Sequence, residues 1–341
     1  MHQLDVVVFG EAMAMFIADD PLPLDEANHY TRAVAGAEVN VAVGLSRLGL
    51  RVGWISRLGN DPLGRYLLNE IHQAGPDTTR VLFDEVHPTG FQLKSKVIEG
   101  DPEVVYFRRG SAASYMAPHE EDDAYLRSAR HLHVTGIPPA LSETCRRYTY
   151  HAIEQARAAG MSISFDPNLR PTLWGNEQEM RQVINDIAAK ADWIFPGLSE
   201  GTLLTGFTEP EDIANFYFEK GVKLVAIKLG LLGSCLFTPA LRHDLPIFAV
   251  EVVDTVGAGD GFAVGIISGM LDGLDPLHSL ERGNAIGALA VTSRGDMDGL
   301  PSHEILGSFL QAAASSSSAS FMTEKPLPPA STEGISIATQ E

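Results

Sequence analysis

The 341-residue sequence contains few cysteines and lacks several well-known catalytic motifs. Its two cysteines, Cys145 and Cys235, are far apart and form no C-x-x-C pair, so neither a zinc site nor a disulfide framework is predicted. There is no G-x-x-x-x-G-K-[ST], no G-x-G-x-x-G and no H-E-x-x-H. P-loop, dinucleotide-binding and zincin chemistries therefore lose support.

Basic residues are also scarce. The 25 Lys and Arg face 44 Asp and Glu, which gives a formal net charge of -19. Nucleic acid is an unfavourable partner for such a chain, because phosphate backbones are bound by basic surfaces. An anionic ligand would have to be held locally, by arginines, backbone N–H groups and metal ions.

Long apolar runs are missing as well. No stretch approaches the roughly 20 residues that span a bilayer, and Met1–Asp5 lacks the basic region of a signal peptide. We expect a cytoplasmic protein with no membrane partner. With 45% hydrophobic and 20% charged residues the chain is globular in composition, and its length indicates one large domain with an accessory element, or two domains.

Short apolar runs alternate with helical patterns along the chain. Val6–Phe9 is continuous in apolar residues, as in a buried strand, and similar runs recur at His131–Val134, Ser162–Phe165, Trp193–Phe195 and Leu224–Ile227. Helical patterns such as Thr144–Ala159 and Glu177–Ala191 lie between them. This order predicts an α/β fold with a mostly parallel central sheet and helices on both faces.

Two segments interrupt that alternation, at about 12–35 and 88–110. Each has the pattern of a hairpin, the second with a turn at Glu99–Pro102. We expect them to form a small β-sheet that covers one edge of the main domain as a lid. The main domain is predicted over 1–311, and the serine- and proline-rich segment 312–341 is expected to be disordered.

The most informative motif is Asp254-Thr-Val-Gly-Ala-Gly-Asp260. A strand is predicted at Ile247–Val253, followed by this glycine-rich turn and an apolar helix. Free N–H groups at the helix start favour an anion, and the same environment is expected to keep Asp260 ionised and able to accept a proton. The alternative is an ordinary N-cap aspartate after a glycine turn.

This motif resembles the C-terminal signature of the ribokinase-like (PfkB) carbohydrate kinases, D-T-x-G-A-G-D. The resemblance implies that Asp260 is the catalytic base and that the backbone of Gly257-Ala258-Gly259 forms an anion hole. The segment Gly36-Ala-Glu-Val-Asn-Val-Ala42 is similar to the family's N-terminal signature. A ribokinase-like α/β fold and an ATP-dependent sugar kinase are the implied fold and activity.

On the substrate side, the resemblance makes Gly36, Ala37 and Asn40 sugar contacts, although the family has a second glycine where Ala37 stands. A simple loop-to-helix turn is the alternative. Asp166-Pro-Asn168-Leu-Arg170 follows a predicted strand, where ligands bind in open α/β sheets. It resembles the subgroup of the family that acts on 2-keto-3-deoxygluconate, in which the arginine meets the sugar acid's carboxylate, but it is also a good turn former.

A second cationic candidate lies in the predicted lid. On a strand, Tyr106 and Arg108 point to the same face. The segment resembles the same subgroup, whose tyrosine and arginine hold the substrate, and two convergent arginines suit a carboxylate. Arg108 could instead be a solvated strand residue. Phe91 is a candidate pocket aromatic or, equally, part of the lid's core.

The nucleotide side is assigned from the family pattern. Its predicted ATP contacts are Asn168, Ser199, Lys228, Gly230, Gly233, Gly257, Gly259 and Asn284. Lys228–Ser234 also has the pattern of a hairpin turn, and a helix asparagine facing solvent is the alternative for Asn284.

Metal ions enter by the same resemblance. Glu200 matches the carboxylate that organises the water shell of Mg²⁺, while Gly197 replaces the family's asparagine and Ser199 could substitute for it. A helix N-terminal glutamate is the alternative. The resemblance also places a monovalent cation such as K⁺ beside the anion hole, on backbone carbonyls that include those of Asp254 and Val256.

Together these features predict a kinase that phosphorylates the terminal hydroxyl of a sugar acid, with ATP and Mg²⁺. A kinase for a neutral ketose or a nucleoside is the alternative, and a non-catalytic sugar-binding protein is a third possibility that the intact Asp260 argues against. Exposed lid edges also predict a homo-oligomer.

Overall fold

The computed structural model describes residues 3–96, 102–316 and 323–326. The strands, in chain order, are β1 (Val6–Phe9), β2 (Met13–Ala18), β3 (Tyr30–Ala35), β4 (Val52–Gly59), β5 (Val81–Asp84), β6 (Phe91–Lys94), β7 (Val104–Phe107), β8 (His131–Thr135), β9 (Ser162–Asp166), β10 (Trp193–Ile194), β11 (Leu224–Lys228), β12 (Ser234–Phe237), β13 (Leu241–Leu245) and β14 (Thr323–Pro326).

The α-helices are α1 (Ala37–Arg47), α2 (Pro62–Gln73), α3 (Glu120–Leu126), α4 (Pro138–Leu141), α5 (Glu143–Ala158), α6 (Glu177–Ala188), α7 (Leu198–Thr205), α8 (Pro210–Phe218), α9 (Ala258–Leu271), α10 (Pro276–Ala290) and α11 (His303–Ser316). Within the described ranges, no helix is both long and apolar enough to cross a lipid bilayer.

The large sheet has the strand order β14-β13-β12-β11-β10-β9-β8-β1-β4-β5. From β5 to β11 neighbouring strands run parallel, and β12, β13 and β14 add antiparallel strands at the far edge. The predicted mostly parallel sheet is thus confirmed. The five strands predicted from continuous apolar runs lie in its parallel part, with bounds that agree to within one residue.

Helices cover both faces of this sheet because its strands are apolar on both sides. Along β1, Val7 and Phe9 belong to one hydrophobic core, which includes side chains of α5 and α6. Val6 and Val8 belong to the other, which includes side chains of α1, α9 and α10. Successive side chains of a strand point to opposite faces, so a continuous apolar run is what a doubly covered strand requires.

A second, smaller sheet has the order β3-β2-β6-β7. β2 pairs antiparallel with β3, β6 pairs antiparallel with β7, and β2 and β6 run parallel. Both predicted hairpin segments therefore contribute to one small sheet. The predicted turn at 99–102 falls mostly on residues 97–101, which lie outside the described residues.

One strand prediction in the C-terminal third was wrong, and the predicted tail contains the end of a helix and an edge strand. The segment 247–253 forms no strand, although it is rich in β-branched residues; its apolar side chains, among them Ile247 and Val252, are exposed beside a cavity instead of pairing in a sheet. The predicted domain end at 311 falls inside α11, which continues to Ser316. Part of the predicted disordered tail, Thr323–Pro326, pairs with β13 as an edge strand; residues 317–322 and 327–341 lie outside the described residues.

Candidate active site

Polar side chains gather where the parallel strands end. Glu11 follows β1, Asp166 ends β9 and Lys228 ends β11, so the topology brings them to one edge of the sheet. They line a cavity of about 330 Å³ that the small sheet covers. Its other lining residues include Gly36, Ala37, Asn40, Gln92, Lys94, Tyr106, Arg108, Asn168, Arg170, Glu200, Val256, Gly257, Gly259, Asp260 and Asp296.

The glycine-rich turn places Asp260 in the first turn of α9. Gly257 is the N-cap of this helix, with a left-handed backbone at φ 86°, which favours glycine. A Cβ atom on Gly257 would lie 2.9 Å from the carbonyl oxygen of Asp296. The turn therefore depends on glycine, and it leaves the first N–H groups of α9 at the cavity wall, where an anion would be stabilised.

Asp260 is held by two asparagines. Asn40 Nδ2 donates to Asp260 Oδ2 at 2.7 Å, and Asn168 Nδ2 lies 3.4 Å from Asp260 Oδ1. Burial raises the pKa of Asp260 to about 7, and the neighbouring carboxylates of Asp166 and Asp296 add to this, while the Asn40 hydrogen bond opposes it. From the sequence, the helix start was expected to keep Asp260 ionised. Burial instead raises its pKa to about 7, so the helix start alone does not keep the carboxylate fully ionised at neutral pH.

Lys228 supplies a fixed positive charge next to the helix start. Its Nζ donates to Asp166 Oδ2 at 2.7 Å and would lie 3.6 Å from a Cβ atom on Gly259. Burial lowers the pKa of Lys228, but the carboxylates of Asp166 and Glu200 outweigh this and raise it, so the ammonium stays charged. The predicted nucleotide contact Lys228 thus stands beside the predicted anion hole.

Tyr106 and Arg108 both line the cavity from the small sheet. Arg108 is buried and forms an ion pair with Glu11, with 2.7 Å between Nε and Oε2. Glu11 also accepts a hydrogen bond from Ser111. The guanidinium is therefore a positioned group whose charge is partly neutralised, not a solvated strand residue.

The segment after β9 adds a second arginine. Arg170 Nη1 donates to the carbonyl oxygens of Leu169, at 2.9 Å, and Asn168, at 3.3 Å. Asn168 has a φ of 38°, in the left-handed region where non-glycine residues are uncommon. This backbone turns the amide of Asn168 toward Asp260 and leaves Arg170 at the cavity wall.

Of the other predicted substrate contacts, three line the cavity and one does not. Gly36, Ala37 and Asn40 lie together at the start of α1 and line the cavity. Phe91 does not line it; its ring stacks on Phe107 with 4.6 Å between centroids, so it belongs to the aromatic packing of the lid.

A second cavity, of about 630 Å³ and lined mainly by apolar groups, adjoins the first through Lys228 and Gly259. It contains Gly230, Gly233 and Asn284, as predicted for the nucleotide side. The amide of Asn284 is already bonded, since its Oδ1 accepts from Ser234 Oγ at 2.6 Å and its Nδ2 donates to the Pro246 carbonyl at 2.9 Å. Asn284 therefore also fixes the cavity wall.

Of the residues predicted to organise Mg²⁺, Glu200 reaches the cavity and Ser199 does not. Glu200 lines the first cavity, and its two oxygens accept from the N–H groups of Gly197 and Leu169, each at 2.7 Å. It acts as the helix N-terminal glutamate of α7, which was the alternative, while still reaching the site. Ser199 is exposed on α7 and lines neither cavity.

Asp254, predicted to hold a monovalent cation, is paired with a lysine that sequence reasoning missed. Lys94 Nζ lies 2.5 Å from Asp254 Oδ2 and 3.7 Å from Asp296 Oδ1. Glu11 was missed too. The alternation of β6 was a usable signal for Lys94, because Gln92 and Lys94 are its two buried positions, whereas nothing local marked Glu11.

The chain matches the pfkB family carbohydrate kinase over residues 3–303. It is 54% identical over 312 residues to a 2-dehydro-3-deoxygluconokinase of Bacillus subtilis (strain 168), which covers 91% of this chain and 96% of the relative. Among solved structures it is similar to a PfkB protein from Polaromonas sp. JS666, with 48% identity, a TM-score of 0.82 and coverage of 89% of this chain and 99% of that one.

A second solved structure is a putative ribokinase II from E. coli in complex with ATP and Mg²⁺. It shares 28% identity and a TM-score of 0.85 with this chain and covers 91% of this chain and 99% of its own. These likenesses confirm the predicted ribokinase-like fold and are consistent with ATP and a metal ion as cofactors. The chain therefore belongs to the pfkB family of carbohydrate kinases and is a sugar phosphotransferase.

Proposed function

We propose that this enzyme transfers the γ-phosphoryl group of ATP to the terminal hydroxyl of 2-keto-3-deoxygluconate. The observation that carries the proposal is that one cavity holds a carboxylate poised as a base, Asp260, together with two arginines, Arg108 and Arg170. Arginine presents a planar fork that matches a carboxylate, which a sugar acid has and a neutral sugar lacks. The relative that is 54% identical carries the name of this activity.

In this mechanism Asp260 accepts the proton of the attacking hydroxyl. A pKa of about 7 suits this role, because a general base works best when its pKa lies near the operating pH. Charge on the transferred group is stabilised by the N–H groups at the start of α9 and by the Lys228 ammonium. ATP occupies the larger cavity, so that its phosphates reach the wall that Lys228 and Gly259 share with the sugar cavity.

Mg²⁺ would be held near Asp166 and Glu200. Each carboxylate oxygen of these residues already accepts one hydrogen bond, from Asn168, Lys228, Leu169 or Gly197. An oxygen with a second lone pair can still accept from a water molecule, so these groups fit the water shell of the ion. The ion itself supplies charge neutralisation for the phosphates.

The small sheet acts as a lid in this proposal. Gln92 on β6, Tyr106 on β7 and Arg108, the residue after β7, line the cavity. Closing the lid over a bound sugar would exclude water and so suppress hydrolysis of ATP.

A neutral ketose is the second candidate, because the Glu11 carboxylate already pairs with Arg108. That pairing leaves Arg170 as the main charge available to a sugar carboxylate. A neutral substrate would need hydrogen bonds at these positions but no net charge.

A substrate panel decides between the two candidates. Release of ADP is measured with 2-keto-3-deoxygluconate, fructose and a nucleoside, for the wild type, Arg170→Ala and Arg108→Ala. We expect the sugar acid to give the highest kcat/KM and both variants to weaken it more than they weaken fructose. An equal loss for both sugars would overturn the assignment of the carboxylate to these arginines, and no ADP release with any sugar would overturn the kinase assignment.

The predicted homo-oligomer stays a prediction. Val105 and Phe107 on β7, an edge strand of the small sheet, are exposed, and unpaired strand edges favour association. Sedimentation equilibrium of the wild type tests it, with Val105→Lys as a variant expected to shift any dimer toward monomer.

A further inference from the structure

Lys94 is a buried cation that the mechanism above does not use. It ends strand β6 of the small sheet, and only 2% of its side chain is exposed. Its ammonium lies 2.5 Å from Asp254 Oδ2 and 3.7 Å from Asp296 Oδ1, on two segments of the large domain. A buried ammonium is stable only when it is paired, so these two carboxylates are the partners that allow Lys94 to be there.

Both oxygens of Asp254 are engaged. Oδ1 accepts from the N–H of Val256 at 3.1 Å, and Oδ2 accepts from Lys94. Asp254 opens the glycine-rich turn 254–259, and its backbone carbonyl, with that of Val256, is where the family resemblance places a monovalent cation. The residues present do not fit such an ion, because the positive charge that it would bring is already supplied by the Lys94 ammonium.

We propose that Lys94 is a positioning residue that takes the place of the monovalent cation beside the anion-binding turn, so that turnover does not require K⁺. This inference rests on the proposed phosphoryl transfer at Asp260. The ligand that Lys94 replaces is a monovalent cation without its water shell. The lysine ammonium has the same charge and can donate hydrogen bonds to the same oxygens.

The reason for the proposal is the electrostatic potential at the turn 254–259. Asp254 accepts a hydrogen bond from the N–H of Val256 in this turn, and the backbone of Asp296 lies against the turn, since a Cβ atom on Gly257 would lie 2.9 Å from the Asp296 carbonyl oxygen. Without a cation, these carboxylates would cancel part of the positive potential at the turn. A fixed ammonium restores it without the cost of binding an ion.

The position of Lys94 also joins the small sheet to the large domain. The lysine belongs to the lid, whereas Asp254 and Asp296 belong to the large domain. The Lys94 ammonium therefore lies beside the turn 254–259 only when β6 lies over the cavity. The electrostatic potential at the turn then depends on the position of the lid. A diffusible ion would not create this link.

The test compares two salts at equal ionic strength, KCl and tetramethylammonium chloride, whose large cation cannot enter such a site. Initial rates of ADP release are measured for the wild type, for Lys94→Met, which keeps the length of the side chain without its charge, and for Lys96→Met. Lys96 is the matched control, because it lies two residues along the same segment and bonds only to the carbonyl oxygen of Asp19 among the described residues. The thermal midpoint of each protein is measured in both salts as a second readout.

We expect equal wild-type rates and midpoints in the two salts, and the same for Lys96→Met. Lys94→Met should lose at least about tenfold in tetramethylammonium chloride, the loss expected when one charge beside the transition state is removed, and should recover part of its rate and midpoint in KCl. Such rescue by an ion is not expected if Lys94 has a merely structural role.

Three results would overturn the proposal: stimulation of the wild type by K⁺, full activity of Lys94→Met without K⁺, or a loss in Lys94→Met that K⁺ does not restore. If Lys94→Met is unfolded at the assay temperature, the wild-type comparison decides alone. A wild type that phosphorylates no sugar in either salt would instead contradict the proposed function, while the salt dependence of the thermal midpoints would still report on the cation site.

Discussion

Asn40 donates a hydrogen bond to Asp260, with 2.7 Å between Nδ2 and Oδ2, although the two residues are 220 positions apart. Asn40 lies on α1 and Asp260 on α9, and both helices pack in the same hydrophobic core. The bond favours the ionised carboxylate and so works against the burial that raises the pKa of Asp260. The segments 36–42 and 254–260, which carry the two family motifs, therefore act together to set the pKa of Asp260.

Replacing Asp260 by Asn should lower kcat by about 10²- to 10⁴-fold, the usual contribution of a general base. The amide keeps the shape of the side chain and can still accept the hydrogen bond from Asn40, so binding of sugar and ATP should change little. Steady-state kinetics and calorimetric titration measure the two quantities. Asp186→Asn, at an exposed position on α6, is the control, and turnover of Asp260→Asn comparable to that of the control would refute the role of Asp260.

The rate should depend on pH around neutrality. Asp260 must be deprotonated to act as a base, and its pKa is about 7, so kcat/KM should rise as the pH increases through 7 and then level off. In Asn40→Ala the hydrogen bond that lowers this pKa is lost, so the rising limb should move to higher pH. A pH–rate profile of both proteins checks this, and an unchanged limb in the variant would contradict the coupling.

Glu11→Gln should increase the preference for sugar acids. The substitution removes the charge that neutralises Arg108 while retaining groups that can bond to it and to Ser111. We expect the ratio of kcat/KM for sugar acid over fructose to rise by roughly fivefold, about 1 kcal/mol of charge interaction. Glu85→Gln, which removes an exposed carboxylate, is the control; a ratio that stays the same in Glu11→Gln would show that Arg108 does not meet a substrate carboxylate.

Gly257→Ala should damage both stability and turnover. The residue has a φ of 86°, and the added Cβ would lie 2.9 Å from the Asp296 carbonyl oxygen. We expect a loss of about 1–3 kcal/mol in the free energy of unfolding, as for other strained backbones, and a larger fall in kcat because the N–H groups of the turn move. Gly307→Ala is a suitable comparison, because a Cβ there meets nothing within 4 Å, and it should be neutral or stabilising by up to about 1 kcal/mol. Chemical denaturation and kinetics of the two variants test this.

The parallel sheet could be predicted from sequence because buried strands are continuous in apolar residues. The four residues Val6–Phe9 are all buried and contribute side chains to both hydrophobic cores. Segment 247–253 misled the same reasoning, because β-branched residues that line a cavity have the composition of a strand but no partner strand beside them. Local propensity is not enough where tertiary context decides pairing.

The site could be predicted in part. Motif resemblance brought together Gly36, Asn40, Arg170 and Asp260, which line one cavity. Glu11 was beyond reach, because it matters through Arg108, a partner distant in sequence. The alternation of β6 marked Lys94 as buried, but its pairing with the distant Asp254 could not be predicted. The raised pKa of Asp260 was also beyond reach, since it arises from carboxylates that only the fold assembles around it.

Lys228 and Gly259 form part of the wall of both cavities. In the proposed function the acceptor and the nucleotide meet across this short boundary. A single molecule that carries both halves, a sugar acid joined to adenosine by a chain of phosphates, would then span it. Such a conjugate would be held at both ends at once, and its inhibition would be competitive against either substrate.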